Sequence, residues 1–361
     1  MQTAPWLLYG ATGYTGRLIM EEAVRLGHRP TLAGRSLPKL EALGQEHELS
    51  VRAVGLSDPA ALRSALEGQA LVLHAAGPFV ETSQPMQEAC LAVGAHYLDI
   101  TGELPVFAHT FRQDARALAR KVALISGVGF DVVPSDCLGR YVAERCAGAR
   151  TLELALWGTG GVSSGTAKSV LGLLPEGGKV RRGGELRSWA LGRGITRIRF
   201  SDRQRWGLPA PLGDLETAYR TTRIPDITTY LGISGTTARA LRLAWPLGVA
   251  LAPLAGRALH SANLRQALHE LVEQRVHGPD LEARGAGRAV LWARATAGPG
   301  EQAEAWLETP EAYAFTAAAA VRAVERVLAE KPAGALSPAV ALGTDFVLQV
   351  PGTRRLDRLD G

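Results

Sequence analysis

Through roughly the first 130 residues, a boundary good to a few positions, short β-rich apolar runs alternate with segments whose apolar positions recur at helical spacing. Trp6 to Tyr9 reads as a first strand. Leu18, Ile19, Ala23 and Leu26 then share one face of a helix over 16–26, and Gly27 stands where a helix-ending glycine is expected. Further strands are predicted over 31–34, 51–56, 71–76, 96–100 and 122–126. Between them the spacing predicts helices from a Ser36 cap through Leu40 and Leu43, then over 59–66, 83–93 and 104–120. This alternation is the signature of βαβ units, so the first domain is expected to be a doubly wound parallel α/β sheet of the Rossmann kind.

From Thr151 onward the rhythm changes to longer alternating runs, over 151–157, 185–190, 195–201, 288–297 and 303–308. Strict alternation points to half-buried strands, so a second α+β domain with a mixed sheet is expected. Gly298-Pro299-Gly300 marks the turn of its last hairpin, and helices over 261–277 and 310–330 would cover one face. The chain thus divides into a nucleotide-binding domain (1–130), a substrate or dimerisation domain (131–331) and a tail (332–361) expected to return to the first domain.

Composition narrows the classes. With 46% hydrophobic and 21% charged residues the chain is of globular type, and its net charge of +5 rests on dispersed arginines without basic runs. That pattern disfavours nucleic acid and suits a phosphorylated small ligand. The three cysteines, Cys90, Cys137 and Cys146, have no metal-binding spacing, and a strand at Trp6 leaves no room for a secretory leader. A cytoplasmic setting is the resulting expectation. The most apolar later stretch, 241–259, is interrupted by Arg242, Pro246, Pro253 and Arg257. It lacks the ~20 clean residues of a membrane span, and suggests at most peripheral membrane contact or a lipid-like substrate.

Gly10-Ala11-Thr12-Gly13-Tyr14-Thr15-Gly16 lies where the first strand turns into a helix. Glycines there let the backbone approach a pyrophosphate, while the helix aims its N–H groups and positive dipole end at it. At the end of the second strand, where an acidic residue grips the free ribose of NAD, the chain has Gly34-Arg35-Ser36. Arginine suits a 2′-phosphate, so NADP(H) is the expected cofactor, with Lys39 as a second positive contact.

The same blocks carry a resemblance. GATGYTGRL (10–18), AGRS (33–36), AAGPF (75–79), HYLDITGE (96–103) and GFDVVPSD (129–136) resemble, in combination, the saccharopine dehydrogenase-like oxidoreductases and their relatives the trans-acting enoyl reductases. The resemblance implies an NADP(H)-binding first domain, a second domain contributing the substrate cleft, and reduction of a C=C, C=N or C=O bond by nicotinamide hydride. It leaves the substrate open, and fold does not fix function. His74, before the AAGPF block, departs from the small polar residue found in similar proteins.

Ligands of doubly wound sheets lie beyond the carboxyl ends of the strands. This places Ala75, Ala76, Gly77 and Pro78, with Thr101 and Gly102, beside the cofactor. Glu103 is the acid placed there as proton donor or substrate anchor, or else as a charge stabilising the helix that begins near Leu104. Asp99, Asp131 and Asp136 read as ligands of turns and backbone. In the second domain Ser164, Thr166 and Lys168 would present hydroxyls and a cation to an anionic or carbonyl substrate, Lys168 sharing catalysis with Glu103; the alternative is a plain Ser/Thr cap. No Tyr has a Lys four residues later, as short-chain dehydrogenases require. A serine nucleophile at 161–165 would leave the glycine loop unexplained, and His269-Glu270 is followed by Glu273 where a zinc helix needs histidine. A non-catalytic NADP(H)-binding protein is the competing class, and a homodimer is a further expectation.

Overall fold

The structure, a computed structural model, describes residues 4–159, 178–190, 192–240 and 287–359. It divides into two compact units, Met1–Val133 with Tyr313–Pro351, and Pro134–Ala312 with Gly352–Gly361.

The first unit runs β1 (Trp6–Tyr9), α1 (Tyr14–Arg25), β2 (Thr31–Gly34), α2 (Leu37–His47), β3 (Val51–Ala53), α3 (Pro59–Leu66), β4 (Leu71–His74), α4 (Phe79–Val93), β5 (His96–Asp99), α5 (Leu104–Arg112), α6 (Asp114–Arg120) and β6 (Ala123–Ile125). The strands form one parallel sheet in the order β6-β5-β4-β1-β2-β3, extended beyond β6 by a short strand at Gly334–Ala335. All residues of β1, β4, β5 and β6 are buried, which is why these strands read as unbroken apolar runs, as sheets covered on both faces do. Register is definite: Leu7 pairs with Thr31 on one side and Val72 on the other.

Local chemistry sets the ends. The Asp58 carboxylate accepts the N–H groups of Ala60 and Ala61 at 2.9 and 3.0 Å, capping α3. Gly27, at φ +86°, follows α1 as anticipated. The single helix expected over 104–120 is instead two, because Gln113 turns its N–H to the Thr110 carbonyl in a 3₁₀ closure.

The helix Ala312–Glu330, which the sequence pattern placed over the second sheet, packs with the first unit from Tyr313 onward. Phe315, Ala319, Ala320, Ala323, Val324 and Val327 are buried along it. Arg322 meets Glu22 of α1 at 3.3 Å, and Glu325 meets His28 at 2.8 Å. Its alanines allow close packing; periodicity alone names an apolar face and not the surface that receives it.

The second unit contains α7 (Val133–Glu144), β7 (Thr151–Gly158), β8 (Gly178–Arg182), β9 (Glu185–Trp189), β10 (Thr196–Arg199), β11 (Gln204–Pro209), α8 (Asp214–Thr222), β12 (Asp226–Ile233), β13 (Arg288–Gly298), β14 (Glu301–Pro310) and a closing strand Arg354–Leu356. The mixed sheet has the order β10-β11-β12-β7-β13-β14-closing strand, with β8 and β9 attached beside β12. Within it β12 and β7 are parallel and the other pairs antiparallel. The hairpin turn at 298–300 joins β13 to β14 as expected. The helix expected over 261–277 and the apolar stretch 241–259 lie outside the described residues.

The tail divides: residues to Pro351 belong to the first unit, and the closing strand pairs with β14 in the second. What fixes it there is Tyr141 of α7, whose hydroxyl donates to Asp357 Oδ1 at 2.7 Å. Its ring lies between the guanidinium groups of Arg145 and Arg355, 3.3 and 3.5 Å from the centroid. Tyr141→Leu removes all three contacts and is expected to cost about 1–2 kcal/mol. Hydrogen exchange should then show faster exchange at the amides of 354–356, with those of β1 and β4 unchanged.

Candidate functional site

The loop between β1 and α1 is built by close backbone approach. Gly10, at φ +88°, lies so near the next crossover that a Cβ on it would meet Ala75 and Ala76 atoms at 2.9 Å, and a Cβ on Gly16 would sit 2.1 Å from the Gly10 carbonyl oxygen. Gly13 differs. It is exposed, a Cβ there would meet only Gly10 O at 3.3 Å, and it opens α1 with no side chain to cap the first turn. Two glycines therefore serve the fold and the third leaves an open approach to a helix N-terminus, the arrangement a pyrophosphate needs. Ala11 is buried, and Tyr14 meets Tyr313 of the return helix edge-to-face at 5.0 Å.

At the end of β2, Arg35 and Lys39 are exposed and have no acidic partner among the described residues. Ser36 is the N-cap of α2, yet its hydroxyl makes no capping bond. Two unneutralised cations and an unspent hydroxyl at a helix start fit a 2′-phosphate. The Arg35 charge also reaches Tyr9, opposing the upward push that burial gives that phenol.

On the other side of β1 the carboxyl ends of β4, β5 and β6 are knitted by buried polar groups. Asp99 accepts the Tyr97 hydroxyl and the Ser126 hydroxyl, each at 2.8 Å, and the N–H groups of Thr101 and Gly127 at 3.0 and 2.9 Å. Burial nevertheless prevails over these four donors and pushes its carboxyl up to about 6. The Thr101 hydroxyl accepts the Glu103 N–H at 3.0 Å. Asp99 is thus the turn ligand anticipated, and Thr101, fully buried, can offer a cofactor little beyond its backbone. Asp136 accepts the Thr221 hydroxyl at 2.7 Å in the second unit.

Glu103 is 3% exposed, and its two carboxylate oxygens accept the Phe79 and Val80 N–H groups at 3.1 and 2.7 Å. The helix it stabilises is therefore α4, following Gly77-Pro78, and not α5, for which its side chain makes no cap. His74 is fully buried, with Nδ1 3.2 Å from the Tyr97 hydroxyl and its ring among Tyr9, Phe79 and Tyr97. Burial pulls its pKa down to about 3, with the Ala76 carbonyl opposing, so it is a neutral core histidine.

Asp131, beyond β6, departs from its expected turn role. A Cβ on Gly102 would lie 2.9 Å from its Oδ2, and no side chain or backbone donor among the described residues bonds to it. Ser164, Thr166 and Lys168 lie outside the described residues. No group of three or more His, Cys, Asp or Glu among the described residues could hold a metal, and no described helix is long and apolar enough to cross a membrane.

Comparison with known proteins decides the first unit, since residues 6–124 match the model of the saccharopine dehydrogenase NADP binding domain. The first unit carries a saccharopine dehydrogenase NADP-binding domain. Its cofactor is NADP, in agreement with Arg35 at the end of β2. A trans-acting enoyl reductase of Mycobacterium leprae is 32% identical over 158 residues, 41% of this chain and 37% of the relative. A human saccharopine dehydrogenase-like oxidoreductase is 27% identical over 166 residues, 40% of this chain and 38% of the relative. The matched stretches span less than half the length of these curated relatives. The apo saccharopine dehydrogenase (L-Glu forming) of Saccharomyces cerevisiae shares the fold across 98% of this chain and 100% of its own, with a TM-score of 0.65 at 12% identity.

The glycines separate in a test. Gly13→Val should leave a folded NADP-binding domain that no longer enhances NADPH fluorescence, whereas Gly16→Val should lose the cooperative thermal transition itself, because its Cβ has no space. Arg35→Asp should erode or reverse the preference for NADPH over NADH, measured as the ratio of dissociation constants; equal affinities in the parent protein would contradict the 2′-phosphate assignment.

Proposed function

We propose that the protein is an NADPH-dependent reductase of a polarised double bond, C=C ahead of C=N or C=O, in a small or lipid-like substrate. The observation carrying this reading is the edge formed by the loops after β4, β5 and β6, which the Asp99 and Glu103 carboxylates tie together at the carboxyl ends of the strands, where a doubly wound sheet receives its ligand. The preference for C=C draws on the M. leprae relative, described as an enoyl reductase.

When bound, NADPH supplies a hydride at nicotinamide C4. The protein's part is to bind and orient. The open face at Gly13 would admit the pyrophosphate, Arg35, Ser36 and Lys39 would hold the 2′-phosphate, and the loops at 75–78 and 101–103 would flank the ring. A proton must also reach the substrate atom that gains charge, from a group on that edge.

Loss of NADPH absorbance, followed across enoyl, imine and carbonyl acceptors, tests the reading. Turnover with an enoyl acceptor is the expected result. Tight NADPH binding without turnover on any of them would instead make this a non-catalytic NADP(H)-binding protein.

A further inference from the structure

We infer that Asp131 is the group that delivers the proton in this reduction, and that Glu103 beside it is a positioning residue. The inference rests on the reductase reading and adds to it the acid and its location. The topology supplies the location. In the order β6-β5-β4-β1-β2-β3 the switch point lies between β4 and β1, so the adenosine half of a bound dinucleotide would extend toward Arg35 and the nicotinamide half toward the loops after β4, β5 and β6. Asp131 stands in the β6 loop with its carboxyl against Gly102 of the β5 loop. Its backbone is braced from behind, since the Phe130 N–H donates to Thr316 Oγ1 at 3.0 Å and the Phe130 ring meets Phe315 edge-to-face.

The three carboxylates at this edge divide by what they touch. Asp99 is fully buried and accepts four hydrogen bonds. Glu103 spends both oxygens on the first amides of α4. Asp131 is exposed, and among the described residues it has neither a hydrogen-bond donor nor a cation. A carboxyl held in place yet unspent is what a proton donor requires. The protein packed around it, and then the Glu103 charge, the one charged group among the described residues that bears on it, push its pKa up to about 6. The surrounding protein withdraws enough water from the carboxyl to keep it protonated further up the pH scale than an ordinary aspartate, while the residue's exposed edge lets it exchange protons with water.

The step balances. The acceptor carbon gains the hydride supplied by NADPH, the π bond to its neighbour breaks, and that neighbour takes the proton from the Asp131 carboxyl. Water then returns a proton to the carboxylate.

The placement can be tested without a substrate, because the nicotinamide ring is cationic in NADP+ and neutral in NADPH. If Asp131 faces the ring, its ionisation favours NADP+. The affinity for NADP+ relative to NADPH should therefore rise between about pH 5 and about pH 8, by at least roughly fivefold, the factor for unit charges about 4 Å apart under the full screening of water. Asp131→Asn, isosteric and at an exposed position, should abolish the rise. Glu103→Gln should keep it but move its midpoint to lower pH, since the neighbouring negative charge is gone. A pH-independent ratio in the parent, or a rise that survives Asp131→Asn, would overturn the placement. On an acceptor that the parent reduces, Asp131→Asn should lower kcat by about a hundredfold or more with the NADPH dissociation constant little changed, and parental turnover would overturn the role. If the parent reduces no acceptor, the reductase reading fails separately, and the affinity ratio still reports where Asp131 lies.

Discussion

Everything at the working edge of the first unit hangs on the Asp99 carboxylate. It is buried at the end of β5, and the donors it gathers come from two loops, Thr101 from its own and Gly127 with Ser126 from the loop after β6. Thr101 in turn holds the Glu103 amide, and Glu103 holds the first turn of α4. Two carboxylates linked through Thr101 thus fix three successive crossovers. Each donor left without it would face about 1–3 kcal/mol of uncompensated burial. The cost accepted in return is desolvation of the carboxylate itself, visible in its raised pKa.

The arginines explain the positive charge in a different way from a phosphate-binding surface. Arg120 bonds the Leu91 and Ala92 carbonyls at the end of α4, and Arg181 is buried against the Leu215 carbonyl, Glu216 and the Tyr219 ring. Arg205 lies over Trp157 and Phe200, and Arg294 joins Glu153, which also accepts from Tyr230. In these places the guanidinium group ties carbonyls, carboxylates and aromatic faces together, as its planar fork of donors suits it to do. Against that background Arg35 and Lys39, exposed and without an acidic partner among the described residues, differ in kind from the structural arginines.

Legibility in the sequence followed burial symmetry. Strands buried on both faces, β1, β2 and β4, announced themselves as apolar runs beside glycines, and β2 was found at its observed bounds. The β8, β11 and β12 strands were not anticipated, because Arg181, Arg205, Thr228 and Thr229, all buried, break the apolar alternation. The turn of the glycine loop and the position of Arg35 at the end of β2 were readable because a motif encodes them locally. What Glu103 touches was not, since its partners lie on another crossover and no spacing along the chain connects residue 103 to the amides of 79 and 80. The same holds for Asp131: the GFDVVPSD block marked the residue, but a missing partner shows only in three dimensions.

Asp99 and Asp131 are both pushed up to about 6, and the difference between them shows how the fold separates structure from chemistry. For Asp99 burial raises the pKa while four donors oppose it. The folded protein still holds this proton more tightly than the unfolded chain, whose aspartates titrate near about 3.9. Its contribution to stability is therefore largest at low pH and declines as pH rises from there through about 6. Asp131 has a similarly raised pKa without opposing donors, and the second cause is the charge of Glu103. Glu103 keeps that charge in place by binding the α4 amides, whose dipole favours an anion. The helix start thus fixes one carboxylate, and that carboxylate helps keep its exposed neighbour protonated, the state the proposed proton delivery requires.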